Sequence, residues 1–311
     1  MDFLSLQGKI NSLDLSAPTA YLRTTQAYFD FYGLNHEQHY PGVKHFFGSV
    51  ESTGYQIACH YFECPSATQQ CFIVHGYYDH SGLFSHIVEM CLAQHCSVVL
   101  FDFPGHGLSS GDVSAISDFA DYRSVLQDLV TRFKAYSELP INVIAQSTGA
   151  AVVMDYLLTE KSPVFEKQVL LAPLVWPVKW RQSMWLYHVV KSFLKTVPRH
   201  FAESSHDPAF LNFIKNQDPL QSRILSLQWV GALKKWISHF QSLPNNQQLT
   251  PLIVQGDDDQ TVDWRRNLPL IESKFSQAKT VYLKGAGHHL VNEMPELRAQ
   301  VVSAIKAYLD D

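Results

Sequence analysis

The sequence predicts an α/β protein with a mostly parallel central sheet and helices on both of its faces. Short apolar runs of strand length alternate along the chain with longer segments of helical periodicity, which is the pattern of strands joined by helical crossovers. One run, at residues 141–145, leads within two residues to a serine and continues into a helical segment. The alternation stops once, between residues 173 and 246, which predicts an insertion into the fold.

Composition narrows the class of protein further. The chain has 311 residues, of which 46% are apolar and 17% charged, and a net charge of −5. These values are ordinary for a soluble globular protein, and they give no reason to expect a nucleic-acid partner. Residues 1–11 lack the basic and apolar parts of a signal peptide, and no run of 18 apolar residues occurs. Any membrane contact is therefore expected to be peripheral.

The cysteines indicate a reducing compartment. Their number is odd, their spacing fits no metal framework, and a chain of this size does not need a disulfide scaffold. We therefore expect free thiols, no metal site and a cytoplasmic location. The five residues lie close together in the chain: Cys59, Cys64, Cys71, Cys91 and Cys96.

The elements of the predicted core follow in order. Residues 1–40 form an N-terminal extension on the core, and residues 18–33 have the pattern of an amphipathic helix. Two alternating runs joined at Thr53-Gly54 predict a β-hairpin. The hairpin runs are residues 46–50 and 55–62; the parallel strands are residues 70–74, 97–103, 141–145, 168–171, 250–255 and 280–283; the clearest helices are residues 116–136 and 296–309. We expect residues 1–172 and 247–311 to form this core, with all parallel strands ending at one edge.

The insertion, residues 173–246, is predicted to be a helical cap over that edge. It is helical in character without a clear strand, and it holds five of the six tryptophans. Nine Lys and Arg against three Asp and Glu give it a charge of +6, which leaves −11 for the rest of the chain. We expect three of its tryptophans to bind substrate: Trp180, Trp185 and Trp229.

A nucleophilic serine is predicted at Ser147. The segment resembles the G-x-S-x-G turn between a strand and a helix, with Ala145 in place of the first glycine. Small residues two positions before and after the serine, Ala145 and Gly149, suit such a crowded turn. Taken alone, the motif also fits a serine that caps a core helix.

An acid and a base follow in the order expected after a nucleophilic serine. A loop after the strand at residues 250–255 contains four aspartates, and its G-x-x-D-x-x-V spacing favours Asp259 as the acid. The other three aspartates have structural interpretations: Asp257 and Asp258 as caps of the loop, and Asp263 as the N-cap of the next helix.

The base follows the last strand, in the loop Gly285-Ala286-Gly287. The small residues allow this loop to approach the serine closely. We favour His288, although geometry alone would also admit His289.

The oxyanion of the reaction is expected to be stabilised by two backbone N–H groups. Thr148 follows the serine and supplies the first. Tyr77 lies in the loop after the strand at residues 70–74 and supplies the second. Asp102 and His106, in a neighbouring glycine-rich loop, are interpreted as structural.

Together these motifs resemble the α/β-hydrolase fold, and within it the monoglyceride lipase and lysophospholipase branch that is sometimes grouped with serine aminopeptidases. His75 to Gly82 match H-G-x-x-x-H-S-G, and Asp102 to Gly111 match D-x-x-G-H-G-x-S-x-G. The resemblance covers about residues 45 to 310. Glu293 matches an acidic residue that often follows the histidine, and we interpret it as a helix-start residue.

The resemblance implies a serine hydrolase that cleaves the carboxylic ester of a single-acyl lipid, a lysophospholipid or a monoacylglycerol, through an acyl-enzyme and without a metal or organic cofactor. Aminopeptidase, amidase or acyltransferase activity on the same scaffold is an alternative. A non-catalytic ligand-binding protein of the same fold is a second alternative.

The cap sequence also predicts peripheral contact with an anionic membrane surface. Within residues 178–201, apolar side chains recur at helical spacing beside cations, as in interfacial helices. Lining of an acyl tunnel and simple packing of the cap onto the core are the alternatives. The apolar residues are Trp180, Met184, Trp185, Val189, Val190, Phe193, Leu194 and Val197, and the cations are Lys179, Arg181, Lys191, Lys195 and Arg199.

Overall fold

The sheet of the protein has eight strands and lies between two layers of helices. A computed structural model describes residues 3–18 and 23–311. The strands of this sheet are Lys44–Ser52 (β1), Tyr55–Glu63 (β2), Gln69–Val74 (β3), Cys96–Phe101 (β4), Ile141–Gln146 (β5), Phe165–Leu171 (β6), Leu252–Gly256 (β9) and Lys279–Leu283 (β10), with β7 and β8 in the insertion. The fold class predicted from the alternation of apolar runs is confirmed.

The strand order is β1-β2-β4-β3-β5-β6-β9-β10. The hairpin β1–β2 and the pair β2–β4 are antiparallel, and the neighbours from β4 to β10 are parallel. Thr53 and Gly54 have φ angles of 50° and 82° and join the hairpin in a two-residue turn, as expected for paired residues in the left-handed region. The carboxyl ends of β3, β5, β9 and β10 therefore lie on one edge.

The core has one part on each face of the sheet. Every residue of β4 and β5 is buried, because helices cover both faces of the parallel part of the sheet. The core helices are Arg23–Tyr32 (α1), Ser85–Ala93 (α2), Phe119–Tyr136 (α3), Thr148–Thr159 (α4), Trp264–Lys274 (α8) and Pro295–Asp310 (α9). Buried residues of α3, α4 and α8 join one cluster, and those of α1, α2 and α9 join the other.

The N-terminal segment contacts the first hairpin. The helix predicted over residues 18–33 is observed as α1, and residues 19–22 of that prediction lie outside the described residues. Tyr28 and Phe29 of α1 are fully buried and contact the ring of Phe47 on β1. The backbone of Ser49 on β1 is hydrogen-bonded to Asn11 and Leu13.

The insertion contains helices and, contrary to the sequence expectation, a strand pair. Its elements are Trp180–Val190 (α5), Thr196–Pro198 (β7), Pro208–Asn212 (α6), a π-helical turn at Phe213–Gln217, Ile224–Ser226 (β8) and Leu227–Ser242 (α7). The strands β7 and β8 pair antiparallel over three residues each. Runs this short carry no readable alternation, and their pairing depends on contacts distant in sequence. Within residues 3–18 and 23–311, no helix combines the length and apolarity required to cross a bilayer.

Candidate active site

The strained turn at Ser147 presents its side chain at the carboxyl edge of the sheet. Strand β5 ends at Gln146 and α4 begins at Thr148, so Ser147 makes the turn alone, with φ 54° and ψ −114°. A residue with a side chain rarely adopts this conformation, and such strain is maintained where the surroundings enforce it. A side chain at Gly149 would collide with the carbonyl oxygen of Val74 and lie 2.6 Å from that of His75. The requirement for a small residue at this position is therefore steric.

Ser147, His288 and Asp259 are joined by two hydrogen bonds. Ser147 Oγ lies 2.9 Å from His288 Nε2, and His288 Nδ1 lies 2.8 Å from Asp259 Oδ2. When the neutral imidazole donates its Nδ1–H to Asp259, Nε2 remains free to accept the serine proton. The arrangement has the geometry required for base-assisted attack by a hydroxyl group.

The neighbourhood of Asp259 favours its ionised form. Burial would raise the pKa of this carboxyl group, but His288 and the amides of Thr261 and Val262 outweigh burial and lower it. Both amides donate to Asp259 Oδ1, at 2.8 and 3.1 Å, and the Gln255 side chain donates to Oδ2 at 3.0 Å. The carboxylate is thus held as an acceptor for the imidazole.

His288 is held in a site that favours its protonated form. Burial would lower the pKa of the imidazole, but the carboxylates of Asp259 and Asp79 outweigh burial and raise it. An imidazole of raised pKa is a stronger proton acceptor.

The other three aspartates of the acid loop make different contacts. Asp257 accepts a hydrogen bond from the Gly285 amide at 2.6 Å, and Asp258 lies 3.1 Å from the ring of His206. Asp263 precedes α8, but its side chain makes no capping hydrogen bond. Of the four, Asp259 is the one that reaches His288.

His289 makes a second buried pair, with Asp79. Its Nε2 lies 3.0 Å from Asp79 Oδ1, and Asp79 Oδ2 accepts the Gly76 N–H at 3.1 Å. Burial would raise the pKa of Asp79, but His289 outweighs it and lowers the pKa. This pair ties the loop after β3 to the histidine loop. Sequence reasoning missed Asp79, although an acid within the H-G-x-x-x-H-S-G segment was the available signal.

Two backbone N–H groups near Ser147 have no acceptor within the described part of the chain. Thr148 is the first residue of α4, where amides lack intrahelical partners. Tyr77 follows Gly76, whose Cα is so close to Ser147 that an added Cβ would lie 3.2 Å from Ser147 Cβ. Both groups are thus available to an oxygen atom bound next to Ser147.

The glycine-rich loop beside the site has structural contacts. Asp102 accepts hydrogen bonds from the amide and hydroxyl of Ser81 and from the Leu108 amide, at 2.6–2.8 Å. His106 Nδ1 lies 3.0 Å from the Pro104 carbonyl oxygen. Neither side chain contacts Ser147, which agrees with the structural interpretation from the sequence.

Glu293 is hydrogen-bonded to the loop that carries His288 and to the insertion. It is buried and accepts hydrogen bonds from the amides of Gly287 and His206, at 2.6 and 3.0 Å. The following helix, α9, begins at Pro295 with Met294 at its N-cap. The interpretation of Glu293 as a helix-start residue is therefore incomplete, because this carboxylate joins the cap to the loop that carries His288.

A cavity of ≈260 Å³ opens onto the Ser147 hydroxyl. Trp180 and Trp229 line it, and the Trp229 ring stacks on Tyr77 with centroids 3.7 Å apart. Trp185 does not line it, since this side chain is 71% exposed on α5. The sequence placed Trp185 at the substrate because helical periodicity alone does not separate the face of α5 toward the cavity from the face toward solvent.

The position of Arg199 differs from the sequence prediction. The sequence predicts that Arg199, like the other cations of residues 178–201, faces a membrane surface. In the structure it lines the cavity, and its guanidinium carbon lies 3.9 Å from the Tyr78 ring centroid. Burial lowers the pKa of this guanidinium.

Known proteins resemble the chain over most of its length. A monoglyceride lipase of Mus musculus is 28% identical over 84% of this chain and 88% of its own. A phospholipase of Bacillus subtilis, YtpA, is 24% identical over 76% of this chain and 93% of its own. The crystal structure of a soluble variant of monoglyceride lipase from Saccharomyces cerevisiae superposes with a TM-score of 0.72, at 14% identity, over 85% of this chain and 94% of its own.

The family assignment rests on a match that exceeds half of the chain. The model that describes the serine aminopeptidase S33 family matches residues 65–295. This range contains the strand-to-helix turn at Ser147, the acid loop and the histidine loop. The chain therefore belongs to the serine aminopeptidase S33 family of α/β-hydrolases.

Proposed function

We propose that this chain hydrolyses the carboxylic ester of a single-acyl lipid by way of an acyl-enzyme on Ser147. That the chain is a lipid ester hydrolase follows from its family and from relatives named monoglyceride lipase and phospholipase. The roles of individual residues are our proposal. The observation that carries it is the continuous hydrogen-bonded series from Ser147 Oγ through His288 to Asp259.

In the first step, His288 Nε2 takes the proton of Ser147 as Oγ attacks the ester carbonyl carbon. Asp259 keeps the imidazole oriented and stabilises its protonated form. The Tyr77 and Thr148 amides donate to the oxyanion. His288 then gives the proton to the departing alcohol as the carbon–oxygen bond of the ester breaks.

In the second step, water enters the position vacated by the alcohol. His288 takes a proton from this water, whose oxygen attacks the acyl carbon. Collapse of the second oxyanion intermediate returns the proton to Ser147 and releases the fatty acid.

The lining of the cavity supports a substrate with an acyl chain. Next to Ser147 the wall is formed by apolar side chains from the loop after β6, from α5 and α7, and from the acid loop: Leu174, Pro177, Trp180, Trp229, Val230 and Val262. A peptide substrate would need an acidic group for its amino terminus. Asp79 lies at the cavity, but its two oxygens already contact the His289 ring and the Gly76 amide.

The exposed face of the cap supports docking on an anionic membrane, which we propose as its occupant. We define the cap patch as the exposed apolar side chains of α5 and the turn after it: Trp185, Leu186, Val189, Phe193 and Leu194. Phe193 is 85% exposed. In sequence, Lys191 lies within the patch and Lys195 directly follows it, and cations near an anionic surface contribute about 1 kcal/mol each.

A cytoplasmic location is part of the same proposal. All five cysteines are buried and free, which suits a reducing compartment. Fractionation of the native cell, followed by detection of the protein, tests this location.

The test of the proposed function is labelling by a small neutral fluorophosphonate, together with fatty acid release from a monoacylglycerol. The wild-type chain should be labelled and should release fatty acid, and Ser147→Ala should do neither. In a serine protease, loss of the catalytic serine lowers kcat by roughly 10⁶-fold, and we expect a loss of similar size for Ser147→Ala. Release of amines from aminoacyl amides without ester cleavage would favour the aminopeptidase alternative. Labelling that persists in Ser147→Ala would refute the assignment of the nucleophile.

A further inference from the structure

Arg199 is a fixed guanidinium in the wall of the cavity. Its backbone N–H donates to the Arg223 carbonyl oxygen at 2.9 Å, next to the pairing of β7 and β8. Its guanidinium carbon contacts two rings, 3.9 Å from the Tyr78 centroid and 4.3 Å from the Phe201 centroid. A guanidinium stacked in this way has lost its freedom before any ligand binds, so little further entropy is lost on binding.

Arg199 forms no close ion pair within the part of the chain that the structure describes, and the Asp79 carboxylate at the same cavity acts on its charge only at longer range. Its Nη1 donates to Gln221 Oε1 at 2.6 Å and to the Ser222 carbonyl oxygen at 3.2 Å, both neutral acceptors. The Nε and Nη2 groups find no acceptor in residues 3–18 and 23–311. Of the five N–H donors of a guanidinium, three thus remain available.

Gln221 adds another unused donor at the same place. Its side chain is buried and also lines the cavity, and its Nε2 has no partner among the described residues. A buried amide without a partner is costly, and at a cavity a water, an ion or a ligand is able to satisfy it. The unused groups of Arg199 and Gln221 are therefore all donors.

Tyr78 connects this corner to the proposed oxyanion loop. It follows Tyr77 directly and has a φ of 73°, a strained value for a residue with a side chain. Asp79, the next residue, is fixed by Gly76 and His289. The Arg199 corner and Ser147 line one cavity, so a single molecule is able to contact both.

We propose that Arg199 and Gln221 form a subsite for the phosphate group of the substrate, so that the preferred ester is a lysophospholipid. The inference rests on the proposed function and adds the head group to it. A phosphate offers several acceptor oxygens in the geometry that a guanidinium fork matches. The neutral glycerol of a monoacylglycerol would leave the guanidinium without a close ion-pair partner.

The test compares two soluble substrates that differ only in the phosphate: 1-octanoyl lysophosphatidic acid and 1-octanoylglycerol, each dissolved below its micelle concentration. The readout is the kcat/KM for the lysophosphatidic acid divided by the kcat/KM for the octanoylglycerol. The wild-type ratio should exceed one. Arg199→Met should lower the ratio by about 10- to 100-fold, the usual effect of losing a hydrogen bond to a charged group. Arg199→Lys should give a ratio between those of the wild type and Arg199→Met, because lysine retains the charge but lacks the guanidinium fork.

A matched control is Arg265→Met. Arg265 also stacks on an aromatic ring, 4.1 Å from the Trp264 centroid, but it lies on α8 outside the cavity. Its loss should leave the ratio unchanged. Labelling by the neutral fluorophosphonate reports whether each variant is folded, and if Arg199→Met is not labelled, Arg199→Lys and Gln221→Met decide the question with the same ratio.

The outcomes separate the two proposals. A wild-type ratio below one, or a ratio that Arg199→Met does not lower, overturns the phosphate subsite while the ester hydrolase remains. Failure of the wild-type chain to cleave either ester or to be labelled overturns the proposed function itself.

Discussion

At the scale of single residues, the site is defined by how each titratable group is partnered. His288 and His289 are neighbours in the chain, yet each contacts a different carboxylate, Asp259 or Asp79. Charge from both carboxylates acts on His288. The two histidines therefore have different positions: His288 lies next to Ser147, and His289 fixes the loop after β3.

The pH dependence of hydrolysis should reflect this arrangement. Because the two carboxylates raise the pKa of His288 and only the neutral imidazole accepts the serine proton, kcat/KM should rise with pH through an apparent pKa above about 6.5, the ordinary histidine value. Asp79→Asn removes one of the two charges and should move this limb to lower pH. The measurement is the pH profile of a soluble ester.

The magnitude of kcat provides a second readout for Asp79→Asn. Loss of the carboxylate that accepts the Gly76 amide should loosen the loop that carries Tyr77 and lower kcat by roughly tenfold or more. Asp258→Asn is the matched control, since Asp258 is exposed and does not contact His288. If Asp79→Asn leaves the pH profile unchanged, the Asp79 charge does not raise the pKa of His288.

At the scale of elements, a buried ion pair ties the cap to the core. His80, in the loop after β3, lies 2.9 Å from Asp218 in the insertion, and both side chains are fully buried. Tyr32 of α1 donates to the same carboxylate at 2.6 Å. Three parts of the chain thus meet at Asp218: the N-terminal segment, the core and the cap.

The stability of this junction should depend on pH. Burial opposes both charges, but the two partners outweigh it, raising the pKa of His80 and lowering that of Asp218. The stabilisation from Asp218 is present above about pH 3.9, and that from His80 is present below about pH 6.5 and is lost as pH rises through its raised pKa. The pair should therefore contribute fully between these two values.

Asp218→Asn tests the junction by thermal unfolding across this pH range. Removal of one partner of a buried pair costs about 3–5 kcal/mol, so the loss should be largest between about pH 4 and pH 6.5 and smaller above it. Asp311→Asn is the control, because the Lys279–Asp311 pair is largely exposed and such pairs contribute about 0–1 kcal/mol. A loss equal at every pH would contradict an ionic contribution.

At the scale of the whole molecule, charge and apolar surface are distributed unevenly. The insertion carries +6 and the rest of the chain −11. The cap patch lies in the basic part. This polarity would orient the cap toward an anionic bilayer before the patch makes contact.

Membrane docking should therefore depend on the cap patch and on lipid charge. The double variant Trp185→Glu with Phe193→Glu should bind vesicles containing phosphatidylserine at least about tenfold more weakly, since each buried aromatic side chain contributes about 1.5–3 kcal/mol. Cosedimentation with vesicles measures this. Tyr282→Glu, an exposed aromatic on β10, is the control. Equal binding of the double variant and the control would refute docking through the patch.

The sequence by itself determined the sheet and the strand-to-helix turn at Ser147, the proposed nucleophile. Apolar runs predicted the strands within a few residues, because parallel strands buried on both faces are nearly continuous apolar segments. Small residues around Ser147 predicted the turn, because its crowding is local. The expectation that Asp259 and His288 approach Ser147 followed from the common edge at which parallel strands end.

Only the tertiary structure decided which side chain of each loop faces which partner. Neighbouring residues such as His288 and His289 differ in their long-range contacts, and these leave no local pattern. The same reason explains Arg199 and Trp185, both read from the sequence as members of one amphipathic segment. Arg199 lies beyond the end of α5, directly after β7, and lines the cavity. Trp185 faces solvent, which the sequence did not show because periodicity records that a helix has two faces but not what lies opposite each of them.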